Sequence, residues 1–249
     1  MTRDDFHRLF ETPGPVVLPV IHVLDEAQTL SNLDLALDAG AVGVFLINHD
    51  FGIEPFLPLI RAARRRAPEA WIGVNFLAVT GLKAFPILGE LAAEGLRVDA
   101  YWADDARIDE AAVRQDEAEA ITTARQHSGW DGLYFGGTAF KKQRPVAPAD
   151  WTRAASIAAG CMDVVTTSGV ATGEAAADGK IAAFRAGLRD RLGDHPLALA
   201  SGITPENAWH YRDVDAFMVA TGINRPGDFY RIEPARLTDL LNVAREIGG

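Results

Sequence analysis

The sequence predicts an α/β fold in which eight parallel strands, each followed by a helix, close into a (β/α)8 barrel. Three observations lead there. Eight short apolar runs start near positions 16, 42, 71, 98, 131, 163, 197 and 215. Segments with apolar residues at helical spacing separate most of them. The 249 residues match the roughly 250 typical of such a barrel, so that units of about 30 residues each use nearly the whole chain as one domain. The runs are almost continuously apolar, as strands of a parallel sheet covered on both faces must be. The competing arrangement is an open doubly wound sheet, but no G-x-G-x-x-G follows the first run.

In order, Val16 to Ile21 forms the first strand and ends at His22. A helix over 26–39 carries Ala27, Leu30, Leu33 and Leu37 close to a 3.6 period and stops at Gly40. The second strand, Val42 to Ile47, ends at Asn48, and a helix over 55–67 begins on Pro55. The third, Trp71 to Val74, ends at Asn75 and leads to a helix over 82–94 closed by Gly95. The fourth, Val98 to Ala103, ends at Asp104 and Asp105, and a long charged helix is predicted over 109–127. The fifth, Gly132 to Phe135, ends at Gly136-Gly137, before a helix over 148–159. The sixth, Asp163 to Thr167, ends at Ser168-Gly169, before a helix over 178–192. The seventh, Leu197 to Ala200, ends at Ser201-Gly202, where Thr204 and Pro205 read as the cap and first position of a short helix. The eighth, Asp215 to Ala220, ends at Thr221-Gly222, and a helix over 234–246 closes the chain. Residues 1–14 read as a short segment capping the bottom of this TIM barrel.

Composition narrows the function. Lys and Arg total 24 against 34 Asp and Glu, a formal charge of −10, which argues against nucleic-acid polymers and anionic membranes as partners. No apolar run approaches the roughly 18 residues of a spanning helix. The charged N-terminal stretch has no apolar segment of the secretory kind. One cysteine, Cys161, excludes a disulfide framework and a Cys-rich zinc site. A cytoplasmic protein is the expectation; a homo-oligomer is left open.

Barrel enzymes place their chemistry at the C-terminal ends of the strands. Polar residues follow seven of the eight runs. The sharpest signal is the last pair of loops. Ser201-Gly202 and Thr221-Gly222 are small-residue turns at the two positions from which barrels often build a phosphate site. Gly202 and Gly222 would let backbone N–H groups approach an anion closely. Ser168, Gly169 and Thr172 form a similar loop after strand six, either a mobile lid or plain surface. Gly137 and the lysines Lys141 and Lys142 follow strand five. Lys141 reads as an anion-binding group or a solvated lysine, with a Schiff-base role last. Asn48 and Asn75 supply neutral donors and acceptors. Asp104, Asp105, His22 and His49 are the acid–base candidates. For Asp104 and Asp105 the competing reading is helix capping, and for His22 a satisfied buried histidine. No cofactor is expected; the paired aspartates leave a divalent cation open, whereas no HxH or HExxH pattern marks a zinc site.

Strand one ending in a histidine, Asn48, Gly73-Val74-Asn75, the run Asp163 to Gly169 with Thr172-Gly173, and the loop Ser201 to Asn207 together resemble the BtpA/SgcQ family. The resemblance covers about Val16 to Ile247 and is clearest in the second half. The chain differs from the family's pattern after strand two, where it has Ile47-Asn48-His49-Asp50-Phe51-Gly52, and at Ala103-Asp104-Asp105. The resemblance implies a phosphate-binding barrel, divergent within the family. It also carries a link to photosystem I biogenesis, which implies a non-catalytic assembly or stability factor as the alternative to an enzyme. Polar groups at the early strand ends opposite Gly loops at the late ones point to an enzyme acting on a small phosphorylated compound, and the last Gly-rich pair resembles barrels that bind phosphoribosyl compounds, which implies a phosphorylated sugar or phosphoribosyl- or nucleotide-type substrate. Phosphate would lie at the late loops and acid–base groups at the early strand ends, a layout that suits an isomerase, a lyase or a phosphoribosyl transferase.

Overall fold

A computed structural model describes residues 1–141, 143–171, 173–177, 179–189 and 194–249. Eight strands, β1 (Val16–Val23), β2 (Gly43–Asn48), β3 (Trp71–Asn75), β4 (Ala100–Ala103), β5 (Leu133–Gly137), β6 (Val164–Thr167), β7 (Leu197–Leu199) and β8 (Ala216–Val219), pair in chain order. The parallel pairing of β8 with β1, Ala216 opposite Val16, closes the barrel. Helix α1 (Arg3–Leu9) precedes β1. Helices α2 (Glu26–Asp38), α3 (Ile53–Arg66), α4 (Gly81–Ala93), α5 (Asp116–Ser128), α6 (Trp151–Ala158) and α7 (Lys180–Arg189) connect successive strands up to β7, and α8 (Pro234–Gly248) ends the chain.

Side chains alternate across each strand. Val16, Leu18 and Val20, Phe45 and Ile47, Ala100 and Trp102, Phe135, Val164, Ala198 and Met218 point inward and form one buried cluster. Their neighbours, such as Val17, Ile21, Val44, Leu46 and Tyr101, face the helices in a second cluster. Helix α1 closes the lower end of the barrel: Phe6 and Phe10 belong to the inner cluster, with ring centroids 6.3 Å from Phe135 and 5.3 Å from Trp71. Gly73 in β3 has a packing reason. A Cβ there would lie 2.3 Å from the Phe45 ring, which occupies the space.

Two predicted helices are corrected. The segment before Asp116 is not helical, because Asp109 and Gln115 close it as a turn. The Asp109 amide donates to Gln115 Oε1 (2.9 Å) and the Ala111 amide to Asp109 Oδ1 (3.0 Å). Its one large apolar residue, Val113, is 98% exposed, so no apolar face holds a helix there. After β7, Thr204 does not cap a helix. Its amide donates to Asn207 Oδ1 (2.8 Å), and only a 3₁₀ turn, Ala208–Tyr211, follows. The predicted helix over 178–192 is observed as α7, its outer positions lying outside the described residues.

At the lower end one device recurs three times. Asp99, Asp163 and Asp215 stand immediately before β4, β6 and β8. Their carboxylates accept the amides of Ile72 (2.8 Å), Tyr134 (2.7 Å) and Leu197 (2.8 Å) at the start of the preceding strand. Each also pairs with an arginine of the helix before that strand: Arg64 of α3 (2.6 Å), Arg125 of α5 (2.5 Å) and Arg185 of α7. The carboxylate thus joins two strands and a helix, with an ionised acceptor that makes stronger hydrogen bonds than a neutral one.

Candidate functional site at the carboxyl ends of the strands

At the opposite end, Val20, His22, Trp102, Lys141, Gly173, Ser201, Gly202, Ile203, Thr221 and Gly222 are among the residues enclosing a pocket of about 40 Å³. That is small beside the roughly 300–1,000 Å³ of whole-ligand pockets, so it suits one compact end of a ligand. Gly202 adopts φ +68°, and a Cβ there would meet the Glu174 and Ala175 backbone at 2.4 Å. At Gly222 a Cβ would lie 1.8 Å from the Ile203 carbonyl. The loop after β7 therefore passes this close to the loops after β6 and β8 only because Gly202 and Gly222 lack side chains. Among the described residues, the amides of Gly202, Ile203, Thr221 and Gly222 donate to no backbone carbonyl outside the regular elements and to no side chain in the hydrogen bonds that the structure shows. Lys141 crosses from the β5 loop: its amide donates to Ser168 Oγ (2.7 Å) and its Nζ to the Ala200 carbonyl (3.2 Å). Trp102 brings a further donor, since its buried Nε1 has no partner among the described residues.

His22 lies within β1, not after it. Its Nδ1 is 2.9 Å from the Phe229 carbonyl. A carbonyl only accepts, so Nδ1 carries the proton and Nε2 keeps its lone pair. Burial lowers its pKa to about 4, with His49 and Lys141 acting in the same direction against the Phe229 hydrogen bond. The ring is therefore neutral at pH 7. The Phe229 ring stacks on it at 3.8 Å, and His49 meets it edge-on at 4.7 Å. The segment after β8 that carries Phe229 is pinned from three sides. Asn224 Nδ2 donates to the Phe229 carbonyl, Gln28 and Asn32 donate to the Tyr230 carbonyl, and the Tyr230 hydroxyl donates to Asp50 (2.6 Å).

The remaining sequence candidates divide. Asn75 and Asp104 meet, Asn75 Nδ2 donating to Asp104 Oδ1 (3.1 Å). Ser168, Gly169 and Ser201 join the loops after β6 and β7: the Gly169 amide donates to Ser201 Oγ (2.9 Å), and Ser201 Oγ donates to the Glu174 carbonyl (3.1 Å). Two residues spend their side chains on structural bonds instead, and a third, Gly137, serves a close backbone approach. Asn48 accepts from the Leu77 amide and donates to the Phe51 carbonyl. Asp105 accepts from the Arg107 amide and pairs with its guanidinium (3.3 Å). Gly137 lets β5 pass the end of β4, where a Cβ would lie 2.0 Å from the Asp104 carbonyl. Thr172 and Lys142 lie outside the described residues. Among the described residues there is no group of three or more His, Cys, Asp or Glu side chains able to hold a metal ion, and no helix long and apolar enough to cross a membrane.

The sequence reading did not single out Lys180. It is buried at the start of α7, and its Nζ donates to the carbonyls of Ala139 (2.6 Å) and Ser168 (2.7 Å), with the Trp151 ring 5.7 Å away. These are the segments that hold Lys141. Burial lowers its pKa to about 8.

No protein-family model matches the chain, and no curated protein matches it. Solved structures do. The M. tuberculosis tryptophan synthase structure in its open form aligns with a TM-score of 0.67 at 12% identity, over 98% of this chain and 99% of that one. Tryptophan synthase subunit alpha from Legionella pneumophila str. Paris aligns at 0.63 and 14%, over 99% of each chain. Phosphoribosyl anthranilate isomerase from Thermus thermophilus aligns at 0.58 and 15%, over 93% of this chain and 98% of that one. At such identities the likeness establishes the fold alone, and the chain is a (β/α)8 TIM barrel.

Proposed function

We propose that the protein is an enzyme acting on a small phosphorylated sugar or phosphoribosyl-type compound. The observation that carries this reading is the pocket between the loops after β7 and β8. It offers amides from Gly202, Ile203, Thr221 and Gly222 and the ammonium of Lys141, and among the described residues no carboxylate lines it. Such a set of donors in a narrow space favours a phosphate dianion. The motif resemblance to the BtpA/SgcQ family points the same way, as does the isomerase among the structural neighbours, whose name specifies a phosphoribosyl compound. His22 borders the same pocket with a free Nε2 lone pair. A bound dianion raises its pKa from about 4 toward neutrality, so that it can accept a proton from the substrate, while Asp104, held by Asn75, is the second group for proton transfer. Isomerase or lyase chemistry uses such a pair directly.

The test is calorimetric titration with inorganic phosphate, ribose 5-phosphate and glycerol 3-phosphate near pH 7.5. Binding by the wild type is expected, weakened about tenfold in Lys141→Gln, the loss of one charge-assisted contact of ~1.5 kcal/mol. Absence of binding by every phosphorylated compound at millimolar concentration would overturn the reading.

A further inference from the structure

Buried polar side-chain atoms are nearly always hydrogen-bonded, so clustered exceptions need a reason. Three atoms without a partner among the described residues lie at one end of this barrel: Asn75 Oδ1 on β3, Trp102 Nε1 on β4 and Thr166 Oγ1 on β6. All three residues are at least nine-tenths buried, at 0%, 4% and 0% exposure. All three face inward. Trp102 belongs to the inner cluster itself, and Thr166 shares the strand parity of inner-cluster Val164. Asn75 shares that of Gly73, whose missing side chain leaves the space for the inward Phe45 ring. The identities of the atoms are chemically fixed. Indole N–H can only donate. The Asn75 amide has its NH₂ on the Asp104 carboxylate, so its oxygen can only accept; the flipped amide would set oxygen against oxygen. Thr166 can do either.

We infer that these residues form a specificity layer that reads the non-phosphate end of the substrate through hydroxyl groups, Trp102 donating to a substrate oxygen, Asn75 accepting from a substrate hydroxyl, and Thr166 taking either part. This rests on the phosphate reading above, because the anionic end at the β7–β8 rim leaves the body of the substrate to lie over the inner layer. Trp102 connects the two, as it both lines the anion pocket and carries one of the three unpaired atoms. The layer selects by exclusion as much as by attraction. An apolar phosphate ester of equal length would leave three buried polar atoms unpaired, whereas a polyhydroxylated one satisfies them. The unliganded protein bears the strain of three unpaired atoms, a cost that an apolar replacement of the same shape removes.

The experiment compares chain-matched ligands by calorimetry: glycerol 3-phosphate against n-propyl phosphate, and ribose 5-phosphate against n-pentyl phosphate, with inorganic phosphate as the reference. The wild type is expected to prefer the hydroxylated member of at least one pair by about 30-fold or more. In Thr166→Val, Asn75→Leu and Trp102→Phe that preference shrinks. In addition, unliganded Thr166→Val melts about 2–4 °C higher than the wild type, which a merely structural hydroxyl would not produce. Equal affinity within both pairs overturns the inference while binding of inorganic phosphate leaves the proposed function standing. If none of the five compounds binds, the proposed function itself falls. A preference that persists in all three variants, or a Thr166→Val protein that melts lower, also overturns the inference. Should a variant fail to fold, the wild-type comparison alone decides.

Discussion

Asp215→Asn is expected to cost about 3–5 kcal/mol of folding stability, the range found when one partner of a buried charge pair is removed. The carboxylate has no exposed surface. It receives Arg3 Nε (2.5 Å), His7 Nε2 (2.8 Å), the Arg185 guanidinium and the Leu197 amide. It therefore fastens α1, α7, β7 and β8 at one point, and the amide variant leaves Arg185 buried beside a neutral group. Burial alone would raise the Asp215 pKa. The hydrogen bond from His7 and the charges of Arg185 and Arg3 overcome that and bring it down to about 2. Because the folded value lies below the ordinary 3.8, the stabilisation is present above pH 4 and is lost as pH falls through the window from 3.8 to about 2. Urea denaturation of the wild type and variant at pH 7 and pH 3 measures both effects. The related Asp99 and Asp163 are partly exposed, with side chains 16% and 22% accessible, so Asp99→Asn and Asp163→Asn should cost clearly less. A loss below 1 kcal/mol in Asp215→Asn would contradict this account.

That comparison also shows where the sequence was readable. Near-continuous apolar runs gave every strand to within two residues, because both faces of a barrel strand are buried and each position along it favours an apolar side chain. The three aspartates were also in plain view, as Val98-Asp99-Ala100, Met162-Asp163-Val164 and Val214-Asp215-Ala216. A charged residue repeatedly placed just before an apolar strand marks a carboxylate that must find a buried partner. What the strings could not provide was that partner, since each arginine lies 30 or more residues earlier on a helix. At the mouth, position along the chain located Gly202, Gly222, Lys141 and His22 near the pocket. It failed for Asn48 and Asp105, whose side chains are taken up by amides and carbonyls a few residues away or on the adjacent strand. Such competition between local capping and function is invisible in residue type alone. Trp102 illustrates the reverse. As one tryptophan in an apolar run it reads as packing, and packing is what its ring does against Phe45 and Phe140. Its role at the pocket rests on one nitrogen atom.

Lys180 should give the protein a stability that rises with pH between about 8 and 10.5, and Lys180→Met should abolish the rise. The sign follows from its surroundings. Among the described residues the ammonium meets no carboxylate and is held by the Ala139 and Ser168 carbonyls, and burial brings its pKa from 10.5 to about 8. Between those values the unfolded chain holds a proton that the folded chain has released, so unfolding takes up a proton and becomes harder as pH increases. Below pH 8 both states are protonated and the folded protein bears the full cost of burying the charge. A displacement of this size corresponds to about 3 kcal/mol across the window. Chemical denaturation at half-unit steps from pH 7.5 to 10.5 measures it, and equal slopes in the wild type and Lys180→Met would refute the assignment. The neutral amine still donates two hydrogen bonds, so in the wild type the β5 and β6 loops stay tied together across the window. Methionine has no donor, and its variant leaves both carbonyls without their partner at every pH. Phosphate affinity should therefore fall in Lys180→Met already at pH 7.5, about tenfold, because Ser168 and the segment after Ala139 fix the position of Lys141. A pH-linked stability and a pH-independent loss of ligand affinity from the same substitution separate the two consequences of one buried amine: its charge is a cost to folding, and its hydrogen bonds hold the pocket.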